Sequence, residues 1–460
     1  MIAIYRKTMV CYNSTQRGDL MKTRFALTAI FHSLIISFVT NSYLLIRQHP
    51  KSLFAIIPIF LLAIIFAGIS LVKTKRNKVC LHGTILLYAF CASTVLSTVF
   101  QILLAIRTIP GEYMTFVWSL VQCVGVLFVV FWVGILCVYL TSAQLGFRLR
   151  LVGAICGLIP VVNLVVLFFI IKTTTAECLF EISKDQCNKQ RESEKVCATK
   201  YPILMVHGVF FRDTKFFNYW GRIPGELITN GATIFYGNQP SAASIADSAA
   251  VLKARILQIL SETGAEKVNI IAHSKGGLDC RYAIAKLGIG DCVASLTTVN
   301  TPHRGCLFAD YLLTKIPIDT QNAIAQTYNS ALSKFGEKEA DFLAAVNDLT
   351  DAHCRALDLE MPAPDNIFCQ SIGSVLTKAS SGKFPMNFSY QLVKYFSGEN
   401  DGLVSEDSFR WGQTYTLLKS PGKLGISHSD IIDLNRENIP GFDVREFYVN
   451  LVNDLKNRGL

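Results

Sequence analysis

Apolar residues are spread unevenly along this 460-residue chain. Between Phe25 and Ile171 they form long runs separated by short basic loops, and from Lys172 onward they alternate with polar residues. The runs at 25–46, 53–72, 81–106, 114–142 and 151–171 each approach or exceed the ~20 apolar residues that cross a bilayer as a helix. The pattern predicts a transmembrane region of about five helical spans over 25–171, after a basic arm (1–24) and before a polar linker (172–200). Lysine and arginine gather in the arm (Arg6, Lys7, Arg17, Lys22, Arg24) and in the second loop (Lys73, Lys75, Arg76, Lys78). The positive-inside rule assigns both to the cytoplasm. An odd number of crossings then leaves the rest of the chain outside, on the extracytoplasmic face of the membrane. If the fourth or fifth run is re-entrant, the side reverses.

Beyond residue 200 the period changes. Residues 202–206 (PILMV), 232–236 (ATIFY), 268–272 (VNIIA) and 294–299 (ASLTTV) read as short strands. Residues 248–263 read as a helix with Leu252, Ile256, Ile259 and Leu260 on one face and Gly264 as its stop. Alternating strands and helices predict a mostly parallel sheet covered by helices, an α/β domain over 201–460. A helical insertion at about 307–365 interrupts this order. Within it, 320–335 sets Ile324, Tyr328, Ala331, Leu332 and Phe335 on one face, as a helix packed on the sheet or as a lid over an apolar pocket. The segment 443–455, with Asp443 and Glu446 at capping positions, reads as a packed C-terminal helix.

Composition sharpens this division. With 51% hydrophobic and 17% charged residues, the chain is too apolar to be purely soluble. The net charge of +10 belongs in part to the basic loops and does not point to nucleic acid. The 14 cysteines include no C-x-x-C pair, which argues against a zinc or redox site and predicts no particular bridge.

Candidate chemistry centres on 268–283, VNIIAHSKGGLDCRYA. A strand ends and a helix begins around Ser274, with Ala272 two residues before it and Gly276 two after. Small residues at these positions let strand and helix approach while the serine hydroxyl stands exposed, the arrangement of a nucleophile elbow. Such a serine needs an imidazole to take its proton and a carboxylate to orient that imidazole. With the order serine, acid, histidine, the downstream histidines are His303, His353 and His428. His303 falls early, on the strand-end loop TPHRG, and His353 lies on a helical stretch as a surface residue. His428, in GISHSD, is the candidate base. Asp401, in the turn SGENDGLVS, is the candidate acid, because Asp430 and Asp433 follow the histidine. The backbone N–H groups of Lys275 and Val209 are candidate oxyanion donors, Val209 following the His207-Gly208 turn.

Together YPILMVHGVFFRD with YWGRIP, VNIIAHSKGG, TPHRG, ENDGLV and H-S-D resemble the bacterial triacylglycerol lipases of the α/β-hydrolase fold, across nearly all of 201–460. The resemblance implies Ser274 as nucleophile, Asp401 as acid, His428 as base, and a long-chain carboxylic ester as substrate. It does not extend to the N-terminal runs, whose expected partner is the bilayer. In many such lipases a calcium ion ties the histidine loop to an earlier aspartate, and a disulfide reaches the loop after the catalytic acid. Here 371–400 contains no aspartate, and Glu406 and Asp407 stand where a cysteine belongs. No cofactor is therefore expected, Asp430 being a weak calcium candidate, and protein contacts through Asp433 or Arg436 should hold the histidine loop. The expected activity is that of a membrane-anchored serine ester hydrolase, a lipase acting on acylglycerols or related acyl lipids. A phospholipase A-type enzyme or an acyltransferase is the alternative within the same chemistry, and a non-catalytic membrane sensor or scaffold the alternative outside it.

Overall fold

The computed structural model describes residues 15–66, 71–157, 159, 161–209, 218–334, 341–383 and 386–460. They form two compact units divided between Gln190 and Arg191.

The first unit contains α1 (Thr15–Thr40), α2 (Tyr43–Gln48), α3 (Leu53–Ile65), α4 (Lys75–Thr141), α5 (Gly146–Cys156) and α6 (Val162–Gln190). Three of its helices, α1, α4 and α6, are long and apolar enough to cross a membrane. A straight helix of the 67 residues in α4 would measure about 100 Å. Instead, Pro110 removes a backbone donor, Glu112 leaves helical dihedrals (φ −135°, ψ 52°), and the chain folds back. Gln101 Nε2 donates to Ser119 Oγ at 2.9 Å and Arg76 Nε to Thr141 O at 2.6 Å, so the two arms of α4 are antiparallel. α1 runs parallel to the first arm, with Ser37 Oγ donating to Ser93 Oγ at 3.0 Å and Asn41 Nδ2 to Ser97 Oγ at 2.7 Å. α6 runs antiparallel to that arm, through Thr175 Oγ1 to Tyr88 OH at 3.2 Å and Asn77 Nδ2 to Glu181 Oε2 at 3.1 Å.

The helix bounds depart from the hydropathy pattern in three places. The run 53–72 yields a helix of only 13 residues, and 67–70 lie outside the described residues. The run 151–171 is divided, since α5 ends at Cys156 and α6 begins at Val162. α6 then continues to Gln190, through much of the stretch read as linker. Two of its acidic residues, Glu177 and Glu181, polar in the sequence, are buried against the other helices. The Glu177 carboxylate accepts from Ala143 N at 2.8 Å and Gln144 N at 3.2 Å at the entry to α5.

The second unit is built on a six-stranded sheet of order β2-β1-β3-β4-β5-β6, in which each neighbouring pair is parallel. The strands are β1 (Ile203–Val206), β2 (Ile234–Tyr236), β3 (Val268–His273), β4 (Val293–Val299), β5 (Phe368–Ser374) and β6 (Thr414–Leu418). Helices α7 (Ile223–Thr229), α8 (Ile245–Thr263) and α9 (Lys275–Leu287) fall among the early strands. The insertion between β4 and β5 folds as α10 (Leu307–Lys315), α11 (Ile318–Lys334), α12 (Phe342–Asn347) and α13 (Asp351–Glu360). α14 (Met386–Ser397) follows β5, and α15 (Val444–Asn457) closes the unit.

Alternation along β1 sorts the core into two faces. Ile203 and Met205 pack with Trp220, Ile223 and Leu227 near α7 and with Tyr448 and Val452 of α15. Leu204 and Val206 pack with Leu252, Ile256 and Ile259 of α8 and Cys280 and Ala283 of α9. The Asp443 carboxylate caps α15 by accepting from the backbone of Arg445 and Glu446, a contact worth about 1 kcal/mol. α11 packs on the other helices of the insertion rather than on the sheet: Ala325 is buried and the Tyr328 ring lies 5.0 Å from that of Phe342. Residues 335–340, including Phe335 of the expected apolar face, lie outside the described residues.

Candidate active site

The strand ends at one edge of the parallel sheet gather the candidate residues. β3 is buried along its whole length and stops at His273, and α9 starts at Lys275. Ser274 between them takes φ 54° and ψ −132°, a conformation costing a non-glycine residue about 1–3 kcal/mol. It is held there by its own N–H, which donates to Val299 O at 2.9 Å at the end of β4. The turn also needs small neighbours: a Cβ on Gly208 would lie 2.7 Å from that of Ser274. Ala272 is fully buried within β3, so its methyl fits where the usual elbow has glycine.

Asp401 is fully buried and fully used. Its Oδ1 accepts from Leu403 N and Val404 N, both at 2.9 Å, closing its own turn. Its Oδ2 accepts from Asn300 Nδ2 at 2.7 Å and pairs with His428 Nδ1 at 2.6 Å. His428 N also donates to Asp401 O at 2.9 Å, so backbone and ring are registered on the same residue. The pairing leaves His428 Nε2 for the cavity, which is also lined by Ser274. No hydrogen bond joins Ser274 Oγ to His428 among the described residues, a geometry that often tightens only when substrate is bound.

The cavity measures about 330 Å³. Its walls are apolar: Ala309 and Leu312 of α10, Phe342 and Val346 of α12, Met386 of α14 and Leu403. Val209 lines it as well, while the residues after Val209, 210–217, lie outside the described residues. His207, fully buried, anchors the adjacent turn, its carbonyl accepting from Gln239 Nε2 at 2.8 Å.

Lys275 departs from the usual exposure of lysine. It is 1% exposed, and its ammonium donates to Asp279 Oδ1 at 2.7 Å and Ser248 Oγ at 3.1 Å. Burial pushes the Asp279 carboxyl up to about 7, against the opposing pull of Lys275. The pair pins the first turn of α9, whose leading N–H belongs to Lys275.

His303 sits apart from the cavity. Its Nδ1 faces Arg281 Nη1 at 2.9 Å, its Nε2 faces Thr298 Oγ1 at 3.0 Å, and its ring stacks on Trp411 at 5.1 Å. Burial, then Arg281, pushes its pKa down, so it serves as a neutral brace for the TPHRG loop. His353 is 40% exposed beside Asp348, a surface residue as expected.

Some of the site's residues were not foreseen. Asn300, at φ 47°, bridges Asp401 and Ser374 Oγ. Tyr219 OH contacts His273 Nδ1 at 2.7 Å and accepts from Gly208 N at 3.1 Å, so it joins the elbow to the Val209 turn. The His273 ring in turn lies 4.5 Å from that of His428. Their one sequence signal is position, directly at strand ends or in the YWGR segment.

The histidine loop is held by an ion pair. Asp433 accepts from Arg222 N at 2.7 Å, Nε at 2.8 Å and Nη2 at 2.7 Å. Of the two residues expected to do this, Asp433 forms the clamp. The calcium arrangement implied by the resemblance does not fit these residues. Asp430 is turned into its own loop, accepting from Ser427 N at 3.1 Å, and burial pushes its pKa up. Among the described residues no group of three His, Cys, Asp or Glu side chains is placed to hold a metal ion.

No family model matches this chain. It is 34% identical to the triacylglycerol lipases of Pseudarthrobacter phenanthrenivorans and Burkholderia plantarii over 184 residues, which are 37% of this chain and 57% and 51% of those relatives. The chain thus spans little more than half the length of these two curated relatives. Among solved structures, mature Bacillus licheniformis lipase BlEst2 is 21% identical, covering 52% of this chain and 88% of its own at a TM-score of 0.39. By sequence, the chain is a relative of the triacylglycerol lipases.

Proposed function

We propose that this chain is a membrane-anchored serine ester hydrolase that cleaves acylglycerols or related acyl lipids. The observation that carries the reading is the 2.6 Å contact between His428 Nδ1 and Asp401 Oδ2, at the edge of an apolar cavity shared with the strained Ser274. Ser274 Oγ attacks the ester carbonyl carbon and its proton passes to His428 Nε2, while Asp401 steadies the imidazolium. The carbonyl oxygen takes the negative charge and faces the N–H groups of Val209 and Lys275. Collapse expels the alcohol, which leaves with the proton from Nε2, and the acyl group stays on Ser274. Water repeats the sequence and releases the acid. The apolar wall suits an acyl chain, and each buried CH₂ contributes about 0.8 kcal/mol to its binding.

A fluorophosphonate ester probe tests this directly, because it phosphonylates an activated serine. Labelling should disappear in Ser274→Ala and fall by on the order of a thousandfold or more in His428→Ala, while the double variant adds little to the loss of ester hydrolysis. Full labelling of Ser274→Ala, or full activity of His428→Ala, would overturn the assignment.

Helix direction supports a reading of the sidedness. α6 returns antiparallel to the first arm of α4, with Lys73 N donating to Asp185 Oδ2 at 2.7 Å. Gln190 therefore lies at the end of the bundle that holds the start of α4 and the basic residues 73–78. Under the positive-inside rule that end is cytoplasmic. The divided run 151–171 supports the re-entrant alternative, which puts the hydrolase unit on the cytoplasmic face instead of the extracytoplasmic one.

A further inference from the structure

We propose that Tyr219 is a positioning residue for ester cleavage: its hydroxyl, oriented by His273, fixes the backbone that offers the Val209 N–H to the developing oxyanion. The inference rests on the hydrolase reading of Ser274 and adds to it a side chain that acts through the main chain.

A trans peptide is planar, so its N–H points opposite to its carbonyl. The Gly208 carbonyl accepts from His207 Nδ1 at 2.9 Å, which aims the Val209 N–H of the same peptide away from His207. That N–H makes no hydrogen bond among the described residues, and Val209 lines the cavity beside Ser274. Close packing demands glycine before it, since a Cβ on Gly208 would lie 2.7 Å from Ser274 Cβ and 3.0 Å from Tyr219 OH. Glycine is the residue least restrained by its own dihedrals, so the restraint has to come from outside. Tyr219 supplies it on the other side of the residue, where Gly208 N donates to its hydroxyl at 3.1 Å.

The hydroxyl is itself held. Tyr219 is 3% exposed, and having accepted from Gly208 it gives its own proton to His273 Nδ1 at 2.7 Å. His273 accepts it only with that nitrogen bare. Its ring is 1% exposed, and burial, then the neighbouring His428, push its pKa well below the usual value, which keeps it neutral. The order is therefore fixed, from Gly208 N–H to Tyr219 and from Tyr219 to His273. His273 directly precedes the nucleophile and its ring lies 4.5 Å from that of His428, so the chain of bonds keeps donor, nucleophile and base in one register. Packing alone does not explain the hydroxyl. The Tyr219 ring lies 5.7 Å from that of His207 and 5.9 Å from that of Trp220, contacts that a phenylalanine would make equally well.

A donor aimed at the oxyanion is worth most as charge develops, so loosening it costs turnover and spares substrate binding. In the full chain in detergent micelles, Tyr219→Phe should lower kcat for p-nitrophenyl esters by about 10–100-fold and leave KM within about twofold. Affinity for a long-chain trifluoromethyl ketone, which adds to Ser274 as a hemiketal oxyanion, should fall by the same factor. The corresponding secondary alcohol fills the cavity without an oxyanion and should bind as before. His273→Leu removes the acceptor from the far end and should reproduce this pattern, which carries the test if Tyr219→Phe does not fold. Unchanged kcat in the variants, or alcohol affinity that falls in step with ketone affinity, overturns the proposal, the second outcome giving Tyr219 a role in cavity shape only. Fluorophosphonate labelling keeps the two readings apart. A labelled wild type with unaffected variants overturns this inference alone, and an unlabelled wild type overturns the hydrolase reading and this inference with it.

Discussion

Asp401 has no spare hydrogen-bonding capacity, and this makes Asn300 a sensitive position. Removing its amide leaves one lone pair of a fully buried carboxylate unmet and frees the oxygen that aligns His428. Asn300→Ala should lower kcat by about 10–100-fold with KM little changed, the worth of a hydrogen bond to a charged group, and an unchanged kcat would show that Asp401 is aligned without it. Asp279 carries the second expectation, and here the sign is set by burial. The unfolded carboxyl releases its proton near 3.8, whereas the folded one holds it to about 7, so its contribution to stability falls as pH rises between these values. Asp279→Asn should flatten that slope, read as the temperature at which fluorophosphonate labelling is lost at pH 5 and at pH 8. An equal slope in both proteins would place the titration elsewhere. At this scale the candidates legible from local motif and chain order are Ser274, Asp401 and His428. The sequence hides Asn300 and Tyr219, whose partners lie 101 and 54 residues away, because nothing local in either segment shows the other.

The elements show what anchors the loop that carries the candidate base. The loop carrying His428 has no regular structure, and its anchor is the triple contact of Asp433 with the backbone and guanidinium at the start of α7. Asp433 is fully buried at its side chain and Arg222 is 16% exposed, so breaking the pair strands a charge at a cost of about 3 kcal/mol or more. Arg222→Ala should therefore release the histidine loop and cut hydrolysis by tenfold or more, whereas a calcium chelator should leave wild-type activity unchanged. Activity that collapses in chelator and returns with calcium would overturn the clamp as the sole anchor. The early strands and α8 are legible because apolar runs, Gly264 and alternation agree there. β5 (FCQSIGS) and β6 (TYTLL) are not, since polar residues in them are paired from neighbouring strands and loops: Gln370 Nε2 donates to Thr297 Oγ1 at 2.9 Å and Ser371 Oγ to Trp411 O at 2.7 Å. Such partners appear only once the sheet has formed.

For the whole molecule, on the proposed function, the open quantity is the side of the membrane that carries the hydrolase unit, and helix direction bears on it together with the count of apolar runs. Hydropathy counts 81–106 and 114–142 as separate runs, and they fold as two antiparallel arms with a break at Glu112. It counts 151–171 as one crossing, although α5 is 11 residues long, about 16 Å, well short of the ~30 Å hydrocarbon core. A chain that enters by α5 and returns by α6 adds no net crossing. Its acidic tail confirms the direction within the bundle, with Glu181 paired to Asn77 and Asp185 to the backbone of Lys73. On this account, protease added to intact cells should leave a C-terminal epitope tag in place. The same protease added to inside-out membrane vesicles should remove the tag, cutting among the lysines and arginines of 189–200. Removal of the tag from intact cells would restore an odd number of crossings and an extracytoplasmic enzyme, and the α5–α6 pair would then have to span the bilayer in a form other than the one described.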